Sequence, residues 1–284
     1  MTTLIALVDG SLYSRSVCDH AAWIATRSDA RVELLHVLSH RHSEGGESDL
    51  SGNIALGART ALLNELADLD AQMAKLAQKR GRAILEDAEA VLAEDGVSEV
   101  TARLRVGDIV ETLAEVEADA DLLIVGKRGE AADFARLHLG SNLERIVRSS
   151  TKPVFVAARA FKPITRVLVA FDGGPSSLKA VDHIARSPLF SGLDIRLVSV
   201  GADTPDTRKK LEDARATLAA GGHEASVAVV QGQPEAVIAE RVEADDIDLL
   251  VMGAYGHSRI RSFIIGSTTT EMIRSCKIPI LLFR

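Results

Sequence analysis

Residues 247–268 read IDLLVMGAYGHSRIRSFIIGST. An almost wholly apolar run, residues 247–252, leads into two glycines three apart, Gly253 and Gly256. Nine residues intervene before Gly266, Ser267 and Thr268, where a helical pattern begins. Near-continuous apolar strands suit a parallel sheet covered on both faces. Glycines let main chain approach a phosphate closely and take positive φ. A helix N-terminus adds unpaired N–H groups and partial positive charge. Ser267 and Thr268 bring hydroxyls, and His257, Arg259 and Arg261 make the loop cationic. A plainer reading stands beside this one: the glycines form turns, and Thr268-x-x-Glu271 is a capping box.

The same construction recurs at 121–142, DLLIVGKRGEAADFARLHLGSN. Gly126, Gly129, Gly140, Ser141 and Asn142 take the corresponding places, with ten residues between the second and third glycine. Glu130 and Asp133 in this loop oppose a polyphosphate, which Lys127 and Arg128 partly offset. Ser141-x-x-Glu144 is again a capping-box pattern. Outward from the loops the repeat continues. LIALVDGS at 4–11 matches VLVAFDGG at 167–174, and VELLHV ending at Val37 matches IRLVSV ending at Val200. Asp9 and Asp172 lie 163 residues apart, as do Val37 and Val200, whereas Gly126 and Gly253 lie 127 apart. The first half therefore carries roughly 36 extra residues between its second and third strands.

Those residues fall within 39–95. SHRHSEGGESDLSGNIALGA, 39–58, reads as a loop. From about Arg59 to Ala93 the spacing of Leu62, Leu63, Leu66, Leu69, Met73 and Leu76 predicts one long or broken helix, with Gly81 interrupting it. RAFKP at 159–163 links the halves, giving domains 1–160 and 161–284. In the second half, strands are expected at about 165–171, 193–200, 224–231, 247–252 and 279–283. Helices are expected at about 175–187, 203–220, 233–243 and 267–276. Alternating β and α elements with right-handed crossovers give two doubly wound, three-layer α/β domains. Such sheets bind ligands beyond the carboxyl ends of their strands.

The net charge of −7 and 4% aromatics give neither the basic footprint of a nucleic-acid binder nor stacking platforms for bases. No stretch approaches the ~20 apolar residues of a membrane span. MTTLIALVDG reads as a first strand rather than a signal peptide. Cys18 and Cys276 read as free thiols of a cytoplasmic protein. His36 packs on a strand, and His40-x-His42 has no further ligands behind it, so no metal site is assigned. Ser149-Ser150 and Ser176-Ser177 have no positioned base, so nucleophilic catalysis is not assigned either.

The pattern G-x2-G-x9-G-[ST] at 253–268, the D-G-[SG] ending of the first strand and the LLHV-type second strand together resemble the universal stress protein family. The resemblance covers nearly the whole chain apart from 39–95, as two domains in tandem. It implies a five-stranded parallel sheet in order 3-2-1-4-5 in each half. It also implies ATP as ligand, accompanied by Mg2+ or Mn2+. Asp172 and Val200 would contact the adenosine part, and Gly253, Gly256, Gly266, Ser267 and Thr268 the phosphates. His257 and Arg259 join that set as loop cations. The first-half counterparts are Asp9, Val37, Gly126, Gly129, Gly140, Ser141 and Asn142. For Asp172 a turn or cap role before Gly173-Gly174-Pro175 remains open. The resemblance further implies pairing through the last strands, PVFVAA and IPILLF, as an intrachain pseudo-dimer, and leaves a homodimer open. The expected function is a stress-response regulatory protein that binds adenine nucleotide without dedicated catalytic residues. Two alternatives stay beside it: a slow ATPase or adenylate-transferring enzyme, and a nucleotide-free interaction module with protein partners.

Overall fold

The computed structural model describes residues 2–39, 56–127, 129, 141–254 and 266–284. The first half runs β1 (Thr2–Leu7), α1 (Ser14–Ser28), β2 (Ala30–Leu38), α2 (Leu56–Glu94), β3 (Val100–Val106), α3 (Ile109–Val116), β4 (Leu122–Gly126), α4 (Ser141–Ser149) and β5 (Val154–Ala157). The second repeats it as β6 (Arg166–Ala170), α5 (Pro175–Arg186), β7 (Asp194–Val200), α6 (Pro205–Ala220), β8 (Ala225–Val230), α7 (Pro234–Ala244), β9 (Leu249–Gly253), α8 (Ser267–Ser275) and β10 (Ile280–Phe283). Proline opens α5, α6 and α7, where its missing N–H costs nothing and its fixed φ suits the first turn.

The strands form one ten-stranded sheet in the order β3-β2-β1-β4-β5-β10-β9-β6-β7-β8. Each half is thus a parallel sheet of order 3-2-1-4-5. Only β5 and β10 meet antiparallel, with Phe155 opposite Leu281. Alternation along the strands sends side chains to two cores. Leu4, Ala6, Phe155, Val169, Leu281 and Phe283 face α1, α2, α5 and α6, whereas Ile5, Leu123, Val154, Leu250, Ile280 and Leu282 face α3, α4, α7 and α8. Both cores run unbroken across the join.

Side chains also bind the halves to each other. The Lys127 ammonium, just past β4, donates to the Cys276 carbonyl where α8 ends. In return Arg284, just past β10, donates to the Arg148 carbonyl at the end of α4, at 2.9 Å. Each cation meets the negative end of the other half's last helix. Arg27 of α1 donates to the carbonyls of Leu189 and Ser191 in the second half at 2.9 and 2.5 Å.

Residues 39–95 differ from their expected organisation. The segment 56–58, read as loop, is helical, and 40–55 lies outside the described residues. The helix is single, Leu56–Glu94, and Gly81 does not break it. A Cβ at Gly81 would lie 2.7 Å from Leu104 Cδ1 and 2.9 Å from His36 Cδ2, so glycine lets α2 lie close on β2 and β3. From Gly81 onward α2 packs on the sheet through Leu85, Ala88 and Leu92, all buried. That part is the ordinary β2–β3 crossover, the counterpart of α6. The extra sequence is therefore the part before Gly81. Among the described residues no helix is long and apolar enough to cross a membrane.

Two histidines at equivalent positions, His20 and His183, pack where the halves join. His20 lies against Phe155 and Phe161, and His183 against Phe190 and Phe283. His20 Nδ1 donates to the Ser16 carbonyl at 2.6 Å, and its Nε2 is buried with no partner among the described residues. Burial pushes both pKa values below the ordinary range, because the charged ring cannot be solvated there. The folded state then binds fewer protons than the unfolded one. Stability contributed by the neutral rings is complete above the unfolded histidine pKa of about 6.5 and is lost as pH falls below it. The urea midpoint should hold between pH 8 and 7 and drop between pH 6.5 and 5, and His20→Leu/His183→Leu should flatten that drop. An unchanged slope in the double variant would contradict this account.

Candidate functional site

The register sets the site. Ala170 of β6 pairs with Val198 of β7 and with Met252 of β9. Two residues further on, Asp172, Val200 and Ala254 stand in one row at the carboxyl edge, with Gly253 ending β9 directly below. In the first half Leu7 pairs with Leu35, and Ala6 with Ile124, which places Asp9, Val37 and Lys127 in the same row. This is the point where the winding of each sheet reverses, since β1 lies between β2 and β4 and β6 between β7 and β9. The structure thus brings together Asp172, Val200 and Gly253, and likewise Asp9, Val37 and Gly126.

Both aspartates hold a turn. Asp172 Oδ1 accepts from the Gly174 N–H at 2.9 Å and from the Ser177 hydroxyl at 2.7 Å. Asp9 Oδ1 accepts from the Ser11 N–H at 3.0 Å and from the Ser14 hydroxyl at 3.3 Å. Ser14 and Ser177 were not among the expected site residues, yet they sit 163 apart like the aspartates themselves. The turn role for Asp172 is therefore present. In the first half the aspartate also abuts the glycine loop: a Cβ at Gly129 would lie 2.8 Å from Asp9 Oδ2. A side chain at Gly129 would displace the carboxylate, because the loop main chain comes against it.

The start of α8 decides between a capping box and an open N-terminus. Its N-cap is Gly266, with no side-chain cap hydrogen bond. Thr268 is already inside the first turn, and the Glu271 carboxylate goes to Arg274 at 2.5 Å instead of back to the cap. The capping box is not formed. The N–H groups of Ser267 and Thr268 thus belong to a helix end that lacks side-chain capping. The Gly266 N–H closes the loop stem on the Ala254 carbonyl at 3.1 Å, and the buried Thr269 hydroxyl donates to the Gly253 carbonyl at 3.1 Å. Thr269, also missed from sequence, fixes the helix start against the end of β9. The repeat puts Leu143 at its place in α4, so the first half lacks this tie.

Further differences separate the halves. The first helical residue of α4 is Ser141, as Ser267 is of α8, but the next residue is an exposed asparagine, Asn142, in place of Thr268. Lys127, expected to offset the acidic loop, spends its ammonium on the second half. Gly256, His257 and Arg259 in the second half lie outside the described residues, as do Gly140, Arg128, Glu130 and Asp133 in the first. Among the described residues no group of His, Cys, Asp and Glu forms a metal site. The two thiols are free, and burial raises both, pushing Cys18 up to about 12. At neutral pH neither is a thiolate nucleophile.

Comparison with known proteins agrees with this architecture. The model of the universal stress protein family matches residues 1–158 and 201–284. A universal stress protein of Synechocystis sp. is 38% identical over 287 residues, covering 100% of both chains. One of Mycolicibacterium smegmatis is 24% identical, covering 98% of this chain and 95% of its own. The crystal structure of a universal stress protein from Archaeoglobus fulgidus superposes with a TM-score of 0.72 at 19% identity, covering 99% of this chain and 98% of that one. With two matching units, a full-length relative and the same fold, the chain belongs to the universal stress protein family, as two of its domains in tandem.

Proposed function

We propose that this chain is a cytoplasmic stress-response regulatory protein that binds ATP at the carboxyl edge of its second half. It acts through binding rather than turnover. The observation that carries this is the α8 N-terminus: an N-cap glycine, no capping side chain, and a buried hydroxyl tie that holds the helix start beside Gly253. Such an end favours a phosphate group through its N–H groups and dipole. Asp172 and Val200 stand at the neighbouring strand ends, where the adenosine part would lie. His257 and Arg259 would add positive charge from the loop. Mg2+ or Mn2+ would enter on the phosphate oxygens. The first half retains the strand and turn geometry, but its loop is one residue longer and acidic, and its lysine is engaged elsewhere. We assign it weaker nucleotide binding or none. The β5–β10 pairing reads as the intrachain counterpart of a two-domain dimer.

An acidic side chain in the first turn favours a helix but opposes a phosphate. Ser267→Asp should therefore leave the melting temperature unchanged or slightly raised while weakening ATP binding at least about tenfold, or ~1.4 kcal/mol. Ser141→Asp should change affinity much less. Calorimetric titration of both full-length variants checks this. Absence of ATP binding by the unaltered protein, or greater sensitivity at Ser141, would overturn the assignment.

A second expectation concerns chemistry. No acid–base pair stands at the described carboxyl edges beyond the turn-holding aspartates, so bound ATP should survive prolonged incubation with Mg2+. Sustained turnover abolished by Asp172→Asn would replace a binding protein with an ATPase.

A further inference from the structure

The front of α2 stands out from the sheet and is exposed among the described residues. From Leu63 to Arg80 every residue except Ala77 is exposed, although the packed part of the same helix begins at Gly81. Residues 62–80 thus project by about 28 Å at the usual helical rise. Within them Leu62, Leu66, Leu69, Met73 and Leu76 recur at alternating intervals of four and three. This is the a/d spacing of a coiled-coil seam. Leu66 is 41% exposed, Leu69 51%, Met73 55% and Leu76 61%, so the seam is unpartnered among the described residues.

Charge selects the occupant and its direction. Residues 64–70, NELADLD, hold Glu65, Asp68 and Asp70 with no base, and residues 75–82, KLAQKRGR, hold Lys75, Lys79, Arg80 and Arg82 with no acid. A parallel pair of these helices would set Glu65 beside Asp70 on the flanks of the seam. An antiparallel pair centred on Ala71 sets Leu66 opposite Leu76, Leu69 opposite Met73, and Glu65 beside Lys79. It also lays the acidic stretch along the basic one, twice over by symmetry. The paired segment 62–80 ends where α2 meets its own sheet. The register therefore stops short of the part of α2 that packs on the sheet.

We propose that two copies of this chain associate through an antiparallel two-helix seam formed by the projecting part of α2. The contact is isologous and closed, as a two-fold dimer requires. It is distinct from the β5–β10 join, which lies inside each chain. The helix needs no separate nucleation, because its packed second part already orders it.

Sedimentation equilibrium of the full-length protein should show a dimer. Leu69→Lys/Met73→Lys, at two exposed positions, should give a monomer with an unchanged melting temperature. Glu65→Lys and Lys79→Glu should each raise the dissociation constant about tenfold, and the two combined should restore it, since each then meets its opposite again. The combined reversal reports on orientation, and ATP titration of the same variants should be unaffected, which separates this test from that of the nucleotide site. A monomeric unaltered protein would overturn the proposal, including the case where residues 40–55 cover the seam. So would a dimer indifferent to the lysine pair, or charge reversals whose losses add.

Discussion

β5 and β10 are four residues each, buried throughout, and they meet antiparallel at the centre of the sheet. Left alone, each half would end in an apolar edge with unpaired N–H and C=O groups, a condition that folded sheets avoid by pairing or covering the edge. Joining the two edges completes both ladders and lets both cores cross the seam. It also fixes where everything else lies. The strands of the halves run in opposite senses, so the two carboxyl edges open on opposite sides of the sheet. Each carboxyl edge then neighbours the end of the other half's last helix. Lys127 at Cys276 and Arg284 at Arg148 follow from that arrangement. So does one asymmetry, since the Lys127 ammonium of the first half reaches the end of the second half's last helix.

Much of this was legible in the sequence because its physical signals are local. Apolar runs such as residues 249–252, ended by glycine, located the second-half strands to within a few residues, and the alternation of strand and helix patterns placed the helices between them. The repeat at Asp9 and Asp172 exposed the duplicated unit. What could not be read was set by tertiary approach. Gly81 looks like a helix interruption until Leu104 and His36 are seen beneath it. Thr268-x-x-Glu271 satisfies the capping-box pattern, but the helix starts two residues too early for Thr268 to cap it, and Glu271 finds Arg274 nearer. Lys127 reads as a loop cation, and only the seam reveals its acceptor. Thr269, Ser14 and Ser177 act through hydroxyls that no spacing rule distinguishes from ordinary helix residues.

The two halves show how one fold frames two different carboxyl edges. Strand register reproduces the same row of residues at each carboxyl edge, since register depends on the buried ladder. The chemistry depends on the segments above it, which the ladder does not constrain. In the second half, a short loop stem closed by Gly266 and a threonine tie hold an uncapped helix end at the switch point. In the first half a leucine replaces the threonine, and the loop is longer and more acidic. The front of α2 departs further still: it leaves the sheet entirely and carries a seam and charge pattern suited to another helix.

On the proposed reading, phosphate is held by the main chain at the start of α8. Amide hydrogen exchange on the intact protein, with and without Mg2+ and ATP, tests it at the atoms concerned. Added nucleotide should slow exchange at Ser267, Thr268 and Thr269 and at residues 253–254, with little change at 126–129 and 141–144. Unchanged exchange at the α8 start, or slowing confined to the first half, would contradict it.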